Sequence, residues 1–109
     1  MPYDPGLAAR LADLLASRNG MQQKKMFGGI GWLLNGNMCV GVYKEFLILR
    51  VGAEIADKLL KRPYIRPMDI TGKPMKGWTM VAPKGYEEKI QLRSLIDSAI
   101  RFVSTLPPK

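Results

Sequence analysis

The sequence has no histidine and a single cysteine, Cys39. Within one chain that excludes a disulfide framework, any nucleophilic triad with an imidazole base, and the usual Cys/His zinc sites. Acidic residues are scarce as well, with nine Asp and Glu against 17 Lys and Arg and a formal net charge of +8. Such an excess invites an acidic partner, although charge alone speaks only to solubility and non-specific association. Long apolar runs are missing too: stretches such as residues 30–34 and 46–49 fall far short of the ~20 needed to cross a bilayer. The first six residues, Met1-Pro2-Tyr3-Asp4-Pro5-Gly6, hold an acid and two prolines where a signal peptide has a basic region and an apolar run. With no export signal expected and an unpaired thiol suited to a reducing compartment, the expected location is cytoplasmic. What remains is a 109-residue chain, 47% hydrophobic and 24% charged. That is an ordinary globular mix for one domain, 1–109, with a single core.

Asp4 can cap a helix that starts at Pro5, where the missing N–H costs nothing. Leu7, Leu11, Leu14 and Leu15 recur at helical spacing, so a helix is expected over 5–18, ended by Asn19-Gly20. Apolar runs 28–34 and 37–43 flank Asn35-Gly36, the signature of a type I′ hairpin. Lys44-Glu45 leads into a third strand over 46–51. Gly52 opens a short helix over 53–60, with Glu54 early and Lys58 late, as the helix dipole favours. Pro63, Pro67 and Pro74 limit regular pairing, so 64–70 is at best an edge strand and 71–73 a turn, before a return strand over 77–82. A final helix over 86–105 buries Leu92, Leu95, Ile96, Ala99 and Val103 and stops at Pro107-Pro108. The expected fold is α+β in the order α-β-β-β-α-β-β-α. It has two layers, an antiparallel sheet of about five strands and three helices, with one sheet face covered by the terminal helices and the other partly open. Irregular backbone is expected over 19–27 and 63–75, the places where a site is most readily built.

Gly28, Gly29 and Gly31 precede a strand rather than a helix and lack the spacing of a phosphate loop, so a bulge or a closely crossing helix accounts for them. Cys39 reads as a core thiol. The carboxylates are scattered over turns and helix starts. Asp69 alone, near Tyr64 and Lys73, could serve as an acid or base in a small enzyme, against the simpler reading of a side chain bonding its own turn. Lys58, Lys61, Arg62, Arg66, Lys73 and Lys76 surround Tyr64 and define a nucleic-acid-binding alternative, although Lys and Arg at a helix end also serve the dipole. Seven methionines are either core filler or an adaptable partner surface. Trp32 and Trp78 read first as core or sheet-face residues.

Two segments, Lys25-Met26-Phe27-Gly28-Gly29-Ile30-Gly31 before the Asn35-Gly36 hairpin and Arg66-Pro67-Met68-Asp69-Ile70-Thr71-Gly72-Lys73-Pro74-Met75-Lys76-Gly77-Trp78, resemble the N-terminal domain of the TfoX/Sxy family of competence regulators. The resemblance runs through nearly the whole chain. It implies a small two-layer α+β domain and, for full-length regulators with their second helical domain, a role in switching on DNA-uptake genes with the cyclic-AMP receptor protein. It implies no catalytic site. The expectation is therefore a non-enzymatic regulatory or adaptor protein without cofactor or metal. It would bind a macromolecule, foremost a protein, through Met26, Phe27, Gly28, Gly29, Met68, Asp69, Lys73, Met75 and Trp78. Nucleic acid is the alternative partner, and a homodimer is left open.

Overall fold

The computed structural model describes residues 3–26, 28–69 and 72–109. Asp4 caps the first helix as its position predicts, its carboxylate accepting hydrogen bonds from the Gly6 and Leu7 amides at 2.8 and 3.3 Å. This helix, α1 (Pro5–Leu15), is shorter than expected: Arg18 N–H bonds the Leu15 carbonyl in a tighter turn, and Gly20 turns the chain with φ of 82°. Strands β1 (Met21–Met26), β2 (Gly29–Leu34), β3 (Asn37–Tyr43) and β4 (Phe46–Arg50) then form an antiparallel meander. Helix α2 (Ala53–Leu59), strands β5 (Ile65–Pro67) and β6 (Trp78–Val81), a one-turn helix α3 (Pro83–Tyr86) and the long helix α4 (Lys89–Val103) complete the chain.

The sheet is fully antiparallel with order β1-β2-β3-β4-β6-β5. It has six strands where five were expected. The added one, β1, lies in the segment expected to be irregular. Its residues Gln22, Gln23, Lys24 and Lys25 are all exposed because it is an edge strand, so it carries no alternation of apolar and polar residues to reveal it. The fourth helix, α3, is a single turn begun by Pro83, and α4 starts three residues later than expected.

Leu7, Leu11 and Leu15 of α1, Ala56 and Leu59 of α2, Tyr86 of α3 and the buried row of α4 pack with Ile30, Trp32, Val40, Val42, Leu47, Leu49 and Val81 of the sheet. All helices thus bury their apolar sides against one face of the sheet, called inner below. In β3 the register slips by one: Leu33 pairs with Met38 but Trp32 pairs with Val40, leaving Cys39 as the bulged residue. The slip turns Val40 and Val42 inward, and Cys39 itself is fully buried.

Candidate functional site

The other face of the sheet has its own, smaller cluster. Paired residues on antiparallel strands share a face, so the outer row runs Lys24, Gly31, Gly41, Ile48, Met80 and Arg66 across all six strands. Ile48, Met68 and Met80 are buried there, with Tyr43, Phe46, Met75 and Trp78 half-buried around them. No described helix residue belongs to this cluster. Its β4–β6 part is covered by Met68 and Met75, which the connection from β5 to β6 brings together through hydrogen bonds from Gly72 N–H to the Asp69 carbonyl and from Met75 N–H to the Met68 carbonyl, each 2.9 Å.

Further along the row the floor is glycine. A Cβ on Gly31 would lie 2.9 Å from the Met38 sulfur and 3.0 Å from that of Met26, and one on Gly41 would lie 2.8 Å from the Met38 methyl. At Gly31, one of the three glycines for which a bulge or a crossing helix was expected, two methionine side chains take that place. Both methionines remain half-exposed.

Cations complete the face. Arg50 lies over the Trp78 ring at 5.3 Å, Lys44 over Tyr43 at 5.5 Å and Arg66 over Phe46 at 5.8 Å. Asp69 stands 3.7 Å from Arg66, with both side chains about half exposed. Screening makes such an exposed pair worth little in stability.

Of the residues singled out from the sequence, Met26, Met68, Met75 and Trp78 lie on this outer face and Asp69 meets its rim. Gly29 belongs to the same face by register, packed so closely on the Val42 carbonyl that a side chain would collide with it. Gly28 is exposed with φ of 76°, and Lys73 is exposed in the connection from β5 to β6. Phe27, Ile70 and Thr71 lie outside the described residues. The basic set is divided. Lys58, 4.0 Å from Glu54, follows the exposed side of α2, whose other side joins the inner core, and Lys61 and Arg62 come just after that helix. Arg66 belongs to the outer face, and Lys73 and Lys76 flank Met75. Tyr64 is 51% exposed with φ of 68° and leads into β5.

Met38, Tyr43, Phe46, Ile48 and Arg50 were not singled out beforehand, and Met80 only as one of the methionines in or beside the irregular segments. Cys39 is a core thiol: burial pushes its pKa up to about 12, against smaller opposing effects of Arg18 and Arg50. A thiol so far above neutral pH is a poor nucleophile. A cavity of about 400 Å³ lies between the end of α1 and α4, lined by Leu14, Ser17, Arg18, Arg93 and Ile100 among others. None of the candidate site residues named from the sequence lines it.

Against known families, residues 13–103 match the model of the TfoX N-terminal domain. The chain belongs to the TfoX N-terminal domain family. A crystal structure of a protein from Pseudomonas syringae is similar in fold, with a TM-score of 0.64 over 87% of this chain and 97% of that one at 15% identity. No match to a curated protein was found. No described helix is long and apolar enough to cross a membrane.

Proposed function

We propose that this TfoX-family domain is a cytoplasmic regulatory or adaptor module that performs no reaction itself and docks an acidic segment of a partner protein on the outer face of its sheet. The observation that carries this reading is a helix-free sheet face where half-buried methionines and aromatic rings sit beneath Lys44, Arg50 and Arg66. Methionine adapts its shape to a varied apolar surface, and cations set on rings present their remaining donors to carboxylates.

The same arrangement favours protein over nucleic acid. Proteins that hold single strands stack bases on free ring faces, whereas Tyr43, Phe46 and Trp78 each already carry a cation. The other basic residues considered, Lys58, Lys61 and Arg62, stand on or beside the helix that packs on the opposite side of the sheet.

The test is affinity capture from cell extract with the wild type and with an Arg50→Ala/Arg66→Ala/Met75→Ala variant of unchanged circular dichroism, followed by titration of each captured protein in purified form. Partners should bind at least tenfold more weakly to the variant and carry an acidic stretch at the contact. Equal binding by both forms would refute the reading. So would tight, salt-dependent binding of single-stranded DNA or RNA abolished by substituting Lys58, Lys61 and Arg62.

A further inference from the structure

The two edges of the sheet are unequal. β5 offers three residues, begins after Tyr64 in a left-handed conformation and ends on Pro67, which has no N–H. Such an edge is blunted. β1 at the other end is six residues long, lacks proline and glycine, and is paired on one side only.

The register says which of its groups are free. Asn35 N–H bonds the Gly20 carbonyl at 2.9 Å, and these residues continue the β1–β2 register by one step. In an antiparallel ladder the bonded residues alternate. Gln22, Lys24 and Met26 therefore turn their backbone groups toward β2, and Gln23 and Lys25 turn an N–H and a C=O outward, while Met21 adds only its C=O, its N–H bonding the Arg18 carbonyl at 3.4 Å.

The side chains along this edge select what can pair there. Lys24 lies on the outer face, paired with Gly31, and Lys25 on the inner face, paired with Ile30. Both are exposed. Adjacent lysines on an edge oppose pairing with a like strand, and a second copy of a chain with net charge +8 adds further repulsion. A strand with two consecutive acidic residues meets one lysine on each face, and apolar residues at its ends meet Met21 and Met26.

We propose that the β1 edge accepts an extended acidic segment of a partner protein as an added antiparallel strand, bonded to the backbone of Gln23 and Lys25 and to the Met21 carbonyl. This rests on the reading that the domain docks an acidic protein segment, and it names how that segment is held. The added strand continues the sheet beside Met26 and Met38, so the glycine-floored part of the outer face becomes part of one surface with it.

The register defines a probe: acetyl-Val-Glu-Glu-Thr-Thr-Val-amide, whose residues face Met26 through Met21 in turn. Titrated into labelled protein and followed by NMR, it should protect the Gln23 and Lys25 amides from exchange while those of Gln22 and Lys24 stay as they were. A peptide with Lys-Lys in place of Glu-Glu should bind at least tenfold more weakly, and a Lys24→Glu/Lys25→Glu protein should reverse that preference. Gln23→Pro removes an outward N–H without touching the β1–β2 ladder and should abolish protection with an otherwise unchanged spectrum. The inference is overturned by absence of protection at millimolar peptide, or by sedimentation showing a dimer that Gln23→Pro dissociates. Shifts at the Met38 and Met75 methyls without amide protection would also overturn it while leaving the outer-face reading intact.

Discussion

Gly31 and Gly41 are cross-strand partners on the same face, yet an added methyl should affect them differently. At Gly31 the nearest atoms to a new Cβ are the Met38 sulfur at 2.9 Å, the Met26 sulfur at 3.0 Å and the Met38 methyl at 3.0 Å, all at or near the ends of flexible side chains. At Gly41 the Met38 methyl lies at 2.8 Å, but the Ile30 carbonyl oxygen follows at 3.0 Å and is fixed in the ladder. Replacing glycine by alanine within a strand returns about 0.5–1 kcal/mol of unfolded-chain entropy. Moving the methionine ends costs about the same, so Gly31→Ala should leave stability within about 0.5 kcal/mol of wild type. Gly41→Ala must shift backbone, and overpacking of that kind costs about 1–3 kcal/mol, for a net loss of about 1–2 kcal/mol. Urea unfolding followed by tryptophan fluorescence measures both. A Met38→Ala background should make Gly31→Ala stabilising, because one neighbour is gone, while Gly41→Ala stays destabilising against the Ile30 carbonyl. Equal losses at the two glycines, or full rescue of Gly41→Ala by Met38→Ala, would refute the picture of methionines lying on a glycine floor.

Tyr86 donates from its hydroxyl to the Glu45 carbonyl at 2.6 Å, and burial, with Asp4 adding to it, pushes its pKa from 10.0 up to about 12. The folded state thus holds this proton more tightly, so its contribution is complete below pH 10 and is lost between pH 10 and 12. Tyr86→Phe should lose about 1 kcal/mol at neutral pH and show a shallower decline of urea stability over that interval, and an identical decline would contradict the assignment. Asn37, 4% exposed, donates from Nδ2 to the Pro107 carbonyl at 2.9 Å. Asn37→Asp should cost more than Asn37→Ala, itself about 1–2 kcal/mol, because a carboxylate cannot donate and would be buried beside a carbonyl, with thermal unfolding as the check. The Thr79 hydroxyl is buried with no hydrogen-bond partner among the described residues, so Thr79→Val should be neutral or raise stability by up to about 1 kcal/mol. A loss of more than 1 kcal/mol in urea unfolding would show that the hydroxyl is bonded.

The elements legible beforehand are those whose residues serve one local purpose. Asp4-Pro5 starts a helix by capping chemistry, and Asn35-Gly36 has φ of 53° and 87°, the left-handed pair that a tight hairpin requires. Leu92, Leu95, Ile96 and Ala99 show a helix because all four point the same way. β1 was illegible for the opposite reason: Gln22 to Lys25 are exposed on both faces, and what makes them a strand is pairing with β2, a tertiary fact. The division of the basic residues between the α2 side and the outer face was likewise hidden, because it depends on where the sheet lies between them.

The site was half legible, and the missing half has one physical cause. Counting alternately from the Asn35-Gly36 turn puts Asn37 inward and would send Cys39, Gly41 and Tyr43 inward after it. The bulge at Cys39 inserts one residue and reverses that parity, so that Val40 and Val42 face the helices while Gly41 and Tyr43 face out. Everything registered on β3 beyond the bulge inherits the reversal: Ile48 opposite Gly41, Phe46 opposite Tyr43, Met80 opposite Ile48. Met26, Met68 and Met75 drew notice from their place beside glycine and proline, whereas Met38, Phe46 and Arg50 sit in strands that read as plain core. The single inserted residue thus turns Gly41, and the aromatic and basic side chains registered beyond it, onto the face that no described helix covers.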